Sequence, residues 1–88
     1  VLRSGMDGYT ANLSAAIVPL NSNLSVAANN IFQIADAATT AQEGCVVIPG
    51  ESFTNISTPI RVRWYGFNAE TTGGTFSIDN VKIEGVVR

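Results

Sequence analysis

The stretch IRVRWYGFNAETTGGTFSIDNVKI, residues 60–83, does most to limit what this chain can fold into. Ile60, Val62 and Trp64 alternate with Arg61, Arg63 and Tyr65. Side chains of a strand point to opposite faces with period two, so the run reads as a strand with one apolar face. Parity sends Trp64 into a core with Ile60 and Val62. It leaves Tyr65 and Phe67 on the outer face with Arg61 and Arg63. Residues 68–74 read as a loop in which Gly73-Gly74 can take positive φ. Thr75 to Val87 alternates again, but Val81 and Ile83 are one residue out of step with Phe76 and Ile78. A bulge at Asp79-Asn80 would bring both pairs onto one face. The stretch as a whole then predicts the closing hairpin of a β-structure.

The remaining chain supplies more short runs between turn signals. Val1 to Ser4 is compatible with a strand and runs into Asp7-Gly8, a turn dipeptide. Thr10 to Val18 reads as a strand, stopped by Pro19 and the Asn21-Ser22-Asn23 loop. Cys45 to Ile48 is a four-residue apolar strand between Gly44 and Pro49-Gly50. Residues 51–59 are polar, with Phe53 and Ile56 as inward anchors. Leu24 to Gln42 admits two readings. Apolar residues at helical spacing after Ser25 suggest a helix. Asn29-Asn30 and Thr39-Thr40 disfavour one, and Ile31 to Ile34 fits a short strand. Strand-plus-loop is the preferred reading. Five or six short strands with polar turns predict an all-β, antiparallel β-sandwich.

Composition narrows function by exclusion. Hydrophobic residues form 45% of the 88, which argues for a folded domain, while charged residues form only 14%. Five basic residues are scattered and the net charge is -2, so no basic patch for nucleic acid can be read from the sequence. No apolar run reaches the ~20 residues of a membrane-spanning helix, so no membrane insertion is expected. The chain has no His, which removes the commonest general base and transition-metal ligand. The single Cys45 reads as a small buried hydrophobe beside Val46, Val47 and Ile48. The carboxylates at Asp7, Asp36, Glu43, Glu51, Glu70, Asp79 and Glu84 form no recognisable pair of the kind glycoside hydrolysis needs. A non-enzymatic role is therefore expected. Asn12, Asn23 and Asn55 begin Asn-X-Ser triplets, matches that an Asn- and Ser-rich chain produces by chance.

The segment PIRVRWYGFNAETTGGTFSIDNVKIEGVV resembles the C-terminal end of a jelly-roll domain of secreted bacterial proteins. The likeness is to carbohydrate-binding-module-like domains of cyanobacterial and planctomycete proteins that carry a PEP-CTERM sorting tail. Shared features are an apolar-Arg-apolar-Tyr-Gly-aromatic strand, a Ser/Thr/Gly loop, and an Ile-Asp-Asn-Val strand followed by Gly. The opening VLRSGMDGY resembles the Arg-Ser-Ser-X-Asp-Gly-Tyr/Phe segment near the middle of such domains. The resemblance implies a jelly-roll sandwich that is secreted or at the cell surface. It also implies one or two further strands ahead of the Arg-Ser segment. A sandwich lacking them would be incomplete at its N-terminus, as in a processed or partial chain, or completed by a strand from a neighbour.

Two functional expectations follow. One is an adhesion or polysaccharide-binding module using Tyr65, Phe67, Arg61 and Arg63. The other is a structural subunit of a surface layer, filament or matrix, built by strand sharing. No cofactor is required. The resemblance makes Asp79 a candidate ligand of a structural calcium, although calcium takes six to eight oxygens and one carboxylate is not a site. A turn in which Asp79 bonds nearby backbone is the simpler reading.

Overall fold

The computed structural model describes residues 1–69 and 71–87. Six strands form: β1 (Leu2–Ser4), β2 (Ala15–Ile17), β3 (Leu24–Ala27), β4 (Ile31–Ile34), β5 (Cys45–Val47) and β6 (Val62–Trp64). They pair as three antiparallel two-stranded sheets, β1–β6, β2–β5 and β3–β4. Three short 3₁₀ turns, Gly5–Asp7, Ala28–Asn30 and Glu51–Phe53, join them, and no α-helix occurs among the described residues. The chain is all-β, as the alternation predicts.

Residues 24–34 adopt the strand reading. β3 and β4 form a hairpin in which Leu24 faces Ile34 and Ala27 faces Ile31. The reversal is made by Asn29 and Asn30, both left-handed at φ 64° and 58°. Asparagine tolerates that region better than other non-glycine residues, so the pair that disfavours a helix is what makes the turn. The Asn29 carbonyl accepts from Asn12 Nδ2 at 2.8 Å and Asn30 Oδ1 accepts from the Ala15 amide at 3.3 Å. These bonds tie the hairpin to the approach to β2, which lies alongside β3.

β1 is the best-covered strand. β6 pairs with one edge, with Leu2 facing Trp64, Arg3 facing Arg63 and Ser4 facing Val62. On the other edge Leu13 donates its amide to the Leu2 carbonyl at 2.9 Å, and Arg3 bridges to Asn12. Leu2 and Ser4 are buried in consequence, and Leu24 joins them. Ser4 is only 2% exposed and its groups are satisfied: Oγ accepts from the Met6 amide, and its carbonyl accepts from the Tyr9 amide.

Several expectations are corrected here. Trp64 is 38% exposed, the same as Tyr65 on the opposite face. Parity assigns residues to faces correctly, but β6 pairs with β1 alone and neither of its faces is covered. Cys45 is exposed rather than buried, because β5 is paired with β2 alone. Thr75 to Val87 forms no strand and no closing hairpin. Its alternating apolar residues have no ladder partner, and Phe76, Val81, Ile83 and Val87 stand between 59% and 97% exposed. Without a ladder there is no bulge at Asp79-Asn80. Instead Asn80 turns locally at φ 53° while Asp79 Oδ1 accepts its amide at 2.7 Å. Among the described residues of the 68–74 loop, positive φ falls on Asn68 and not on Gly73 or Gly74. Phe53 and Ile56 are half-buried, as their reading as anchors requires.

The surface measures the openness of this arrangement. The accessible area is 7300 Å² for a 9.3 kDa chain. A compact monomer of that mass exposes roughly 5,000 Å². The Cα radius of gyration, 14.3 Å, likewise exceeds the ~12 Å of a compact domain of this length. Three narrow ladders of three or four residues bury too little apolar surface to contract further.

Candidate functional site

The outward face of β1–β6 gathers the chain's basic and aromatic chemistry. Arg3 and Arg63 are register partners, so two like charges stand directly opposite one another, an unfavourable pairing unless something holds them apart. Each guanidinium rests on a different tyrosine. Arg63 Cζ lies 3.9 Å from the centroid of the Tyr9 ring, and Arg3 Cζ lies 5.4 Å from that of Tyr65. Such cation–π contacts contribute about 0.5–1 kcal/mol each at exposed positions.

The 3₁₀ turn after β1 places Tyr9. Gly8 and Tyr9 are both left-handed, at φ 72° and 62°, which folds the chain back over β1. The tip of the Tyr9 ring comes to rest over Gly5, where a Cβ would stand 3.2 Å from Tyr9 Oη. Asp7 locks the reversal. Its two carboxylate oxygens accept the amides of Thr10 at 3.1 Å and Ala11 at 3.0 Å. Those bonds, the Thr10 amide first, hold its carboxyl below the ordinary value of 3.8. A depressed carboxyl stabilises the fold above the unfolded value, and that contribution disappears as pH falls through the lower folded value. Asp7→Asn should therefore melt below the parent at neutral pH, and the gap should narrow as the pH is lowered into the acid range. A gap of equal size at neutral and acid pH would show that the charge plays no part.

Arg3 is fixed by two further bonds, from Nε to Asn12 Oδ1 at 2.7 Å and from Nη1 to the Tyr9 carbonyl at 3.3 Å. Arg63 is exposed, and its side chain makes no hydrogen bond to the described residues. Beside the stack lies an open cleft of about 400 Å³ lined by Gly5, Met6, Tyr9, Pro59, Ile60 and Arg61.

Of the residues the sequence singles out, Arg63 and Tyr65 join this cluster. Arg61 borders the cleft, and its carbonyl accepts from the Gly5 amide at 2.8 Å. Phe67 is 54% exposed and lies past the end of β6, beyond Gly66, against which the Phe76 ring rests. Asp79 is exposed and engaged with its neighbour's amide, and no group of three metal-capable side chains gathers among the described residues. Glu84 pairs with Lys82 at 2.8 Å on the exposed segment, while Glu70 lies outside the described residues. Although Cys45 is exposed, partial desolvation by its surroundings raises the thiol's pKa, the opposite of what a thiolate nucleophile needs.

Sequence reasoning misses Arg3, Tyr9 and Asn12. The alternation Leu2-Arg3-Ser4 carries a signal for Arg3. Nothing local marks Tyr9, whose position depends on a left-handed turn.

Comparison with protein-family models, with curated proteins and with solved structures finds no match to this chain.

Proposed function

We propose that the chain is a non-catalytic β-sandwich module of jelly-roll type, secreted or displayed at the cell surface, that binds polysaccharide through the outer face of β1–β6. The observation that carries this reading is the clustering of Tyr9 and Tyr65 with the paired Arg3 and Arg63 of the β1–β6 ladder, beside an open cleft. Tyr65 offers an amphipathic ring for a sugar face, and guanidinium donors suit its oxygens. The resemblance to secreted jelly-roll domains agrees with this.

A second reading, a structural subunit completed by neighbouring strands, is favoured by the surface. The excess over a compact monomer is about 2,300 Å², within the range that obligate interfaces bury. Exposed Val62, Trp64, Phe76 and Ile78 are of the type such interfaces cover.

One preparation separates the two. Affinity electrophoresis through gels containing polysaccharides should retard the protein, and Tyr65→Ala should lose most of the retardation. Sedimentation of the same sample should show a monomer or small oligomer. Large species with no retardation in any gel would transfer the assignment to the structural subunit.

A further inference from the structure

We infer that this face selects an acidic polysaccharide, with Arg63 as the residue that reads the acid group. The inference rests on the polysaccharide-binding reading above and names the class of glycan.

The arginines of this face lack acidic partners among the described residues. Three of the chain's five basic residues, Arg3, Arg61 and Arg63, lie on or beside the β1–β6 pair. The protein as a whole is acidic, with net charge -2, so this face runs against its average. Among the described residues the one ion pair is Lys82–Glu84, so these guanidiniums have no carboxylate partner there. Asp7, the acid in the adjoining turn, spends its carboxylate oxygens on the Thr10 and Ala11 amides.

The second step is preorganisation. Arg63 lies over the Tyr9 ring at 3.9 Å, yet is exposed and spends none of its N–H donors on the described residues. A guanidinium is a planar fork of five donors that matches a carboxylate bidentately. This contact restrains the guanidinium and reduces the rotamer entropy lost on binding. Arg3 spends Nε and one Nη1 donor internally and keeps Nη2 for the ligand. Tyr9 and Asn12 are therefore positioning residues: they aim the two arginines. The exposed Tyr65 ring beside Arg3 adds a stacking surface for a sugar, which favours a uronate-bearing polysaccharide over an acidic peptide.

The probes are polygalacturonic acid, the same polymer fully methyl-esterified, and poly-L-glutamate, compared by calorimetry at low and moderate salt. The free acid should bind at least tenfold more tightly than the ester, weaken as salt rises, and bind more tightly than poly-L-glutamate. Arg63→Lys, which keeps the charge and loses the fork, should weaken acid binding about fivefold, while Lys82→Ala should leave it unchanged. Tyr9→Leu, which removes the aromatic face under Arg63, should weaken acid binding several-fold, and Tyr9→Phe, which restores that face, should recover most of it. Equal affinity for acid and ester overturns this inference and leaves polysaccharide binding intact. Absence of binding to both polymers overturns this inference, and absence across neutral glycans as well overturns the underlying reading. Tighter binding to poly-L-glutamate would overturn it in favour of an acidic protein partner.

Discussion

Leu2→Ala should cost about 2–4 kcal/mol and lower the urea midpoint sharply. Leu2 and Leu24 are the buried apolar side chains among the described residues. A chain of this length has a stability of roughly 5–10 kcal/mol at best, and one exposing so much surface lies toward the lower end. Removing one of two buried leucines therefore takes a large share of the total. Leu2 also adjoins Arg3 in the β1–β6 ladder, with Trp64 opposite and Leu13 bonded to its carbonyl. Ligand binding should fall together with stability. Ile83→Ala, at a position 87% exposed, should change stability by no more than about 0.5 kcal/mol. Urea denaturation of the three proteins checks the contrast, and equal midpoints would mean that Leu2 does not anchor the fold.

Gly44→Ala should be nearly as damaging, through the backbone rather than the core. Gly44 sits at φ 99°, outside the region any other residue adopts readily. An added Cβ would stand 2.9 Å from the Val18 carbonyl oxygen and 3.2 Å from that of Pro19. These are main-chain atoms that cannot swing away. The Gly44 carbonyl accepts the Val18 amide at 2.6 Å, continuing the β2–β5 ladder past its Ile17–Cys45 pair. Strain and loss of this closure together should cost about 2–3 kcal/mol, or roughly 10 °C in melting temperature. Gly50 has an ordinary φ and nothing within 4 Å of its Cβ direction, so Gly50→Ala should be neutral or slightly stabilising. Thermal melts that place both variants together would contradict this distinction.

What the sequence discloses about this molecule is local, and what it withholds is long-range. The strands at 2–4, 45–47 and 62–64 are legible because apolar runs end at glycine, proline or asparagine. Of the hairpin at 24–34 only the Ile31–Ile34 strand is legible, and its pairing with Leu24–Ala27 across Asn29-Asn30 is not. Trp64 is misplaced because alternation gives the face and not what covers it. Thr75 to Val87 has the pattern of a strand but finds no partner edge, and a pattern without a partner forms no ladder. The site is half-legible for the same reason. Arg63 and Tyr65 share parity on one strand. Tyr9 reaches Arg63 through two successive left-handed residues, and Arg3 reaches it through pairing of segments sixty residues apart.

The account stands on the claim that polysaccharide binds the outer face of β1–β6. Its most direct test is an amide chemical-shift titration of the labelled protein with a soluble polygalacturonate oligomer. The account predicts saturable shifts concentrated at Arg3, Tyr9, Arg63 and Tyr65 and at the turn through Gly5. Shifts confined to residues 75–87, or none at saturating oligomer, would contradict it.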